Sequence, residues 1–123
     1  MSHRYEKSEF KQEFTFQDRS KESSRMLTKY PDKRPIICEK LNKQMNFPKM
    51  DKKKYLVPYD FILGQFIQVI RNRLKLQPEE AIFVFINNQL LSINYIMGEV
   101  YDRFKDADGF LYMQYAKENT FGI

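Results

Sequence analysis

The side chains that could carry out nucleophilic or acid–base chemistry are few in this sequence. Cys38 is the only cysteine and His3 is the only histidine. A nucleophilic cysteine needs a base within hydrogen-bond reach, whereas His3 lies in a polar N-terminal stretch. Free cysteines are usually buried, so we interpret Cys38 as a core residue. The sequence shows no catalytic base and therefore argues against a small hydrolase.

Two carboxylates, Asp106 and Asp108, could serve as an acid–base pair. They lie in a charged segment that ends at Gly109, which is typical of a turn, so we expect both to be solvated. The four glycines form no phosphate-binding loop, and no Cys/His cluster predicts a metal site. We expect no catalytic residues, no metal and no cofactor, and hence a protein that is not an enzyme.

Composition points to one folded, intracellular domain. The chain has 123 residues, of which 42% are hydrophobic and 30% charged, an ordinary globular balance. A single cysteine favours a reducing compartment, and no apolar run suits a signal peptide or a membrane span. Residues 1–58 carry 15 basic and 8 acidic side chains, but residues 59–123 carry 6 and 8. Acidic partners are therefore expected on the first half.

Hydrophobic spacing predicts the elements of the first half. A short surface helix or pair of helical turns runs from Gln17 to Lys29 and ends before Pro31. Pro35–Cys38 and Lys53–Val57 are predicted strands, separated by a loop from Leu41 to Met50. The best-defined helix starts at Asp60 and is expected to stop at Pro78. Its apolar face is formed by Leu63, Phe66, Ile67, Ile70 and Leu74.

The second half continues the alternation of strands and helices. Ala81–Ile86 is a buried strand, and Asn87-Asn88 turns the chain toward Leu90-Leu91. A short helix is marked by Ile96, Val100 and Phe104, and Phe110–Tyr115 forms the last strand. A hairpin, a crossing helix and a last strand that returns to the centre of the sheet describe a β-grasp fold of the α+β class.

Three segments are expected along the chain: an N-terminal arm with a helical extension (1–29), the β-grasp core (30–117) and a flexible C-terminal tail (118–123). By composition, the stretch from Met1 to about Phe10 is weakly ordered. Phe14 and Phe16 are the aromatics predicted to dock the arm on the core.

The second predicted strand lies at the edge of such a sheet. Lys54 and Leu56 point to one face of it, and Tyr55 and Val57 to the other. An edge strand can accept an extended peptide as an additional strand, and pockets on either side would read an aromatic-x-x-aliphatic motif. Nearby lysines would favour acidic flanks. The alternative is that these side chains only complete the core.

The C-terminus suggests a second activity. Residues 116–123 form a polar tail in which Gly122 is next to last. Activating enzymes and proteases act in narrow clefts that suit a residue without a side chain. On a β-grasp domain, such a tail predicts conjugation.

Six blocks of sequence occur in the order found in one known family: Lys29–Asp32, Asp51–Pro58, Gly64–Phe66, Ile70–Arg73, Asp108–Tyr112 and Asn119–Gly122. They closely resemble the autophagy ubiquitin-like modifiers, in the group of gamma-aminobutyrate receptor-associated protein. The resemblance runs from about Phe16 to the end of the chain.

The resemblance implies a modifier that a cysteine protease trims between Gly122 and Ile123. Activating and conjugating enzymes would then join Gly122 to phosphatidylethanolamine. Two acyl chains suffice for stable membrane attachment. The modifier would be cytoplasmic, and after lipidation it would lie on autophagosomes or other intracellular vesicles. There it would recruit cargo receptors and adaptors with aromatic-x-x-aliphatic motifs.

The resemblance also assigns the residues of the peptide site. The aromatic pocket would consist of Glu22, Met26, Pro35, Ile37, Lys54, Leu56 and Phe110. The aliphatic pocket would consist of Tyr55, Val57, Pro58, Phe61, Phe66 and Val69. The charged rim would consist of Lys33, Lys52 and Arg73.

The sequence departs from the family at several positions. Arg34 replaces a usually apolar residue, the loop holding Phe47-Pro48 is one residue longer, and Gln89–Leu91 lacks the usual prolines. The blocks that carry the resemblance include none of the first 15 residues, so they assign no role to the N-terminal arm. The alternative hypothesis is an unconjugated β-grasp module that binds acidic polymers, such as microtubule tails or RNA, through its basic half. We expect no nucleic-acid binding, because the aromatic residues follow core periodicities.

Overall fold

The fold is that of a computed structural model, which describes residues 7–42 and 50–117. The elements, in chain order, are α1 (Glu9–Glu13), α2 (Phe16–Lys29), β1 (Lys33–Lys40), β2 (Lys54–Pro58), α3 (Leu63–Leu74), β3 (Phe83–Ile86), β4 (Gln89–Leu90), α4 (Met97–Phe104) and β5 (Leu111–Ala116). The predicted order of strands and helices is confirmed. The segment from Gln17 to Lys29, predicted as a helix or two helical turns, lies in one helix of 14 residues that begins at Phe16.

The five strands form one mixed sheet in the order β2-β1-β5-β3-β4. β5 lies at the centre, parallel to β1 and antiparallel to β3. β2 pairs antiparallel with β1, with Pro35 opposite Leu56 and Ile37 opposite Lys54. The predicted α+β class, the central last strand and the edge position of β2 are all confirmed.

The two faces of the sheet bury different side chains. Tyr55 and Val57 belong to the main core, together with the buried face of α3. Leu56 instead packs on the opposite face, against a cluster that includes Met26 of α2. This alternation follows from the pleat of β2, because neighbouring side chains in a strand point to opposite faces.

Helix α3 begins and ends at residues that the sequence did not indicate. Asp60 lies outside it, and the side-chain oxygen of Gln65 accepts a hydrogen bond of 2.8 Å from the backbone N–H of Ile62. The helix ends at Leu74, because Lys75 adopts a left-handed conformation with φ of 56°. The prediction that Pro78 ends the helix was therefore wrong. The left-handed residue already satisfies the terminal carbonyls, as in a Schellman-type ending.

The β3–β4 hairpin has the predicted turn. Asn87 and Asn88 have φ of 54° and 63°, and Ile86 pairs with Gln89 across them. Positive φ at both central residues suits the right-handed twist of the strands. Within residues 7–42 and 50–117, no helix has the length and apolar character to cross a membrane.

The N-terminal arm docks through a different aromatic residue from those predicted. Phe10, on the short helix α1, is 7% exposed, whereas Phe14 and Phe16 are 40% and 49% exposed. The Phe10 backbone N–H donates a hydrogen bond of 2.9 Å to a carboxylate oxygen of Glu39 on β1. Composition alone cannot predict the docking of Phe10, because its hydrogen-bond partner on β1 lies 29 residues away in the sequence.

Candidate peptide-binding site

The residues predicted for the aromatic pocket come together on the outer face of β1 and β2. Met26, Ile37 and Phe110 are buried in one cluster, and Leu56 packs on it while half-buried. Pro35 is buried on β1 and lies opposite Leu56. Leu56 is therefore not a fully buried core residue. This placement favours an accessible pocket over the alternative in which Leu56 only completes the core.

An ion pair lies beside this cluster. Lys54 Nζ lies 2.6 Å from Glu22 Oε2, and the Arg25 guanidinium reaches the same oxygen at 3.1 Å. The hydrogen bond from Lys54 lowers the pKa of the Glu22 carboxyl, so the carboxylate stays ionised at neutral pH. α2 is thereby tied to the first residue of the edge strand. The Lys54 side chain remains partly exposed and can contact acidic groups of a ligand.

The residues predicted for the aliphatic pocket divide into a buried group and a half-buried group. Tyr55, Val57 and Phe66 are buried in the main core, and the Tyr55 and Phe66 rings meet edge to face with centroids 5.5 Å apart. Three predicted members stay half-buried at the surface: Pro58, Phe61 and Val69. This second group presents the larger exposed surface.

The three predicted rim residues contact different neighbours. Lys33 Nζ lies 5.7 Å from the centroid of the Tyr30 ring, and Lys52 Nζ lies 5.1 Å from that of Tyr55. Arg73 on α3 contacts Asp51 at 3.3 Å. The Arg73–Asp51 pair is exposed, so Arg73 can exchange it for a contact with an acidic group of a ligand at little cost.

The edge of β2 gives the site its direction. Among the described strands, β2 pairs only with β1, so its outer edge is open to an added strand. Along β2, the predicted aromatic pocket includes Lys54 and Leu56, and the predicted aliphatic pocket extends to Val57 and Pro58. A motif with its aromatic residue first would therefore run parallel to β2.

Sequence reasoning missed two aromatic residues that adjoin the aromatic pocket. Phe10 belongs to the same cluster, with its ring centroid 5.2 Å from that of Phe110, and Tyr112 packs against it. A local signal for α1 was present: Ser8 is a typical N-cap, and its hydroxyl accepts a hydrogen bond from the N–H of Lys11.

Asp108 corrects the expectation of a solvated carboxylate pair. It is 1% exposed, and one of its carboxylate oxygens lies 2.7 Å from Arg19 Nε. The same oxygen accepts a hydrogen bond from the Tyr112 hydroxyl, and the other accepts one from the backbone N–H of Phe110. Asp106, by contrast, is partly exposed and pairs with Lys11 at 2.7 Å. The turn therefore anchors the N-terminal helices.

Cys38 and Arg34 lie in different surroundings, one in the core and one against an aromatic ring. Cys38 is completely buried, as predicted, and burial raises the pKa of its thiol. The guanidinium of Arg34, the departure from the family, lies 4.8 Å from the centroid of the Tyr59 ring.

In the described parts of the chain, no group of His, Cys, Asp and Glu side chains could hold a metal ion. Gly122, Ile123, His3 and Phe47-Pro48 lie outside the described residues.

Comparisons with known proteins agree with this architecture. Residues 18–122 match the sequence profile described as "Autophagy protein Atg8 ubiquitin like". Autophagy-related protein 8 of Mycosarcoma maydis is 50% identical over 116 residues, which cover 94% of this chain and 98% of the relative. Autophagy-related protein 8D of Oryza sativa subsp. japonica is 51% identical over 114 residues, covering 92% and 96%.

Solved structures show the same likeness. The crystal structure of Trypanosoma brucei ATG8 has a TM-score of 0.85 and 39% identity, covering 90% of this chain and 95% of that one. Plasmodium falciparum Atg8, solved with a Plasmodium falciparum Atg3 peptide, has a TM-score of 0.83 and 30% identity, covering 91% and 98%. The profile match and the identities over nearly the whole chain confirm the predicted family and its ubiquitin-like fold. The chain belongs to the Atg8 family of autophagy ubiquitin-like proteins.

Proposed function

We propose that this autophagy ubiquitin-like modifier is conjugated through Gly122 to phosphatidylethanolamine and then recruits proteins with aromatic-x-x-aliphatic motifs. The observation that carries the recruiting role is the open edge of β2, with half-buried Leu56 over a buried apolar cluster. An added strand would gain backbone hydrogen bonds from β2, and the two pockets would supply specificity. In this role the protein acts as a modifier and adaptor rather than as an enzyme.

The proposed conjugation needs enzymes that recognise this chain. The Plasmodium falciparum relative was solved with an Atg3 peptide, which supports a conjugating enzyme as one partner of this protein. A processing cysteine protease and an activating enzyme complete the proposed set. After conjugation, cytoplasmic protein would become attached to autophagosomes or other intracellular vesicles. Two buried acyl chains, at about 0.8 kcal/mol per CH₂, are enough for stable attachment.

A second candidate function is binding of acidic polymers such as microtubule tails. It is favoured by the surface of α2, where Lys21, Arg25 and Lys29 line one shallow groove. Binding by this surface should weaken steeply as salt rises, because it depends on exposed charges. Binding of a motif peptide should keep most of its affinity, because apolar contacts in the pockets are not screened.

Calorimetric titration of an aromatic-x-x-aliphatic peptide with acidic flanks tests the recruiting role. Leu56→Ala should lower affinity about tenfold, since it removes apolar contact worth about 1.4 kcal/mol. Lys54→Glu should also weaken binding, because it places a negative charge against acidic flanks. Leu90→Ala, at an exposed leucine on the other edge strand, is the matched control and should bind normally. Unchanged affinity in both site variants, with folding intact, would remove the β2 site.

The intact mass of the membrane-bound protein tests conjugation. The expected species ends at Gly122 and carries phosphatidylethanolamine, and Gly122→Ala should abolish it while leaving the melting temperature unchanged. Membrane-bound protein that retains Ile123, or normal attachment of Gly122→Ala, would contradict this part of the proposal.

A further inference from the structure

The outer face of the sheet, the one that carries Leu56, buries two separate groups of side chains. Phe10 of α1 and Met26 of α2 cover the first group. The second group consists of Leu41, Phe85 and Ala116, none of which is more than 1% exposed, although no residue of α1 or α2 belongs to it. Side chains on one face of a sheet are removed from water when another element packs on them. A further covering segment is therefore required here.

One row of side chains crosses this face and shows how far the cover extends. Glu39 on β1 lies beside Gln114 on β5, which lies beside Phe85 on β3. Leu90 on β4 follows Phe85. The first three are buried, with exposures of 7%, 2% and 0%, whereas Leu90 is 43% exposed. The cover therefore crosses β5 and β3 and stops short of β4.

Gln114 shows what the covering segment must supply. Its side-chain oxygen is buried and has no hydrogen-bond partner among the described residues. A buried acceptor without a donor is unfavourable, and native proteins nearly always provide one. An extended segment that passes over β5 can donate a backbone N–H to this oxygen. An apolar side chain one strand further on can pack on Phe85.

The chain that precedes α1 starts at the right place to be this segment. The Phe10 N–H donates to Glu39, so α1 begins at the first residue of the row. Ser8 is 4% exposed, which shows that the chain is still closely packed just before α1. Tyr5 precedes Ser8 by three residues, which span about 10 Å when extended. This matches the two strand spacings, also about 10 Å, that separate β1 from β3.

Two other stretches lie outside the described residues, and both suit the role less well. The loop 43–49 leads to Met50, which is buried in the main core on the opposite face of the sheet. The tail 118–123 has to enter the clefts of processing and conjugating enzymes in the proposed function. The three stretches contain one Phe or Tyr each, namely Tyr5, Phe47 and Phe121, so an aromatic probe can tell them apart.

We propose that residues 1–6 run extended across the outer face of β5 and β3, with the Tyr5 ring on Phe85 and a backbone N–H on the Gln114 oxygen. The segment is then an intramolecular ligand that hides an apolar surface. Its release would expose Phe85 and the half-buried Phe83 beside Leu90, which together form a second docking face on β3 and β4. This role of the N-terminus is independent of conjugation and of the β2 site.

A tryptophan scan tests the proposal, because the protein contains no tryptophan. Three full-length variants carry one tryptophan each: Tyr5→Trp, Phe47→Trp and Phe121→Trp. Emission should shift to shorter wavelength and become less sensitive to acrylamide quenching in Tyr5→Trp only. Tyr95→Trp is the exposed control, because Tyr95 is 47% exposed. If Tyr5→Trp emits like this control, the proposal is refuted, and a shifted Phe47→Trp or Phe121→Trp would assign the cover to the loop or the tail.

A second measurement tests the hidden surface. Tyr5→Ser should bind several times more of the apolar dye anilinonaphthalene sulfonate than the wild type does, with native far-ultraviolet circular dichroism. Tyr95→Ser is the matched control and should bind no more dye than the wild type. If folded Tyr5→Ser also binds no more dye, no apolar surface lies beneath the segment and the proposal fails. Neither measurement uses a motif peptide or a lipid, so failure of the proposed function would leave both results unchanged.

Discussion

Replacement of Asp108 should strongly destabilise the protein, although the sequence places this residue in a charged turn. Its carboxylate accepts hydrogen bonds of 2.7 Å from Arg19 Nε and 2.9 Å from the N–H of Phe110, besides one from the Tyr112 hydroxyl. Arg19 is itself buried, so Asp108→Ala leaves a buried cation without its counter-charge. Breaking such a pair from one side costs about 3 to 5 kcal/mol.

Asp106→Ala is the matched control in the same turn. Asp106 is partly exposed, and its carboxylate contacts Lys11 and the N–H of Asp108. A partly exposed pair and one hydrogen bond together contribute only about 1 kcal/mol. The free energy of unfolding, measured by chemical denaturation and circular dichroism, should therefore separate the two variants by at least about 2 kcal/mol.

The loss of structure in Asp108→Ala should begin in the two N-terminal helices. Arg19 donates to the carbonyls of Lys11 and Phe14, and the Ser23 hydroxyl donates to the carbonyl of Asp108. In Asp108→Ala, amide hydrogen exchange should accelerate first in α1 and α2 and later in β1 and β5. Equal unfolding free energies for Asp108→Ala and Asp106→Ala would refute the reasoning, because the buried pair would then contribute no more than the exposed one.

Two other predictions concern stability. Gly109→Ala should cost about 2 kcal/mol of stability, because Gly109 has φ of 91° and an added Cβ would lie 2.3 Å from the Ser23 hydroxyl oxygen. Gly64→Ala is the control and should be nearly neutral in the same thermal melts, because an added Cβ there meets nothing closer than 3.4 Å. Equal effects of the two substitutions would contradict this prediction. The lowered pKa of Glu22 means that its pairing with Lys54 stabilises the fold fully above the ordinary value of 4.5 and less as pH falls through the lower folded-state pKa. The stability difference between wild type and Glu22→Gln should therefore shrink below about pH 4.5, and a difference that stays constant to pH 3 would count against the pair.

Local sequence predicted the frame of the candidate site, whereas its pocket residues were assigned from the family resemblance. The alternation of Lys54 and Leu56 with Tyr55 and Val57 assigned the two faces of β2, and the structure shows those faces packed against α2 and α3. The apolar spacing from Leu63 to Leu74 likewise predicted α3. These signals succeed because strand pleat and helical period are properties of neighbouring residues. The edge position of β2 followed from the order of the elements.

The tertiary structure decided what depends on distant partners. The burial of Asp108 requires Arg19, which lies 89 residues earlier, and the docking of Phe10 requires Glu39 on β1. A turn sequence rich in charge looks solvated, because no local pattern shows that a cation from another helix will replace its water. The spacing of hydrophobic residues along the chain thus determined the β-grasp frame and its edge strand. The contacts that tie α1 and α2 to this frame form only in the folded protein, where charged and aromatic side chains that are distant in sequence come together.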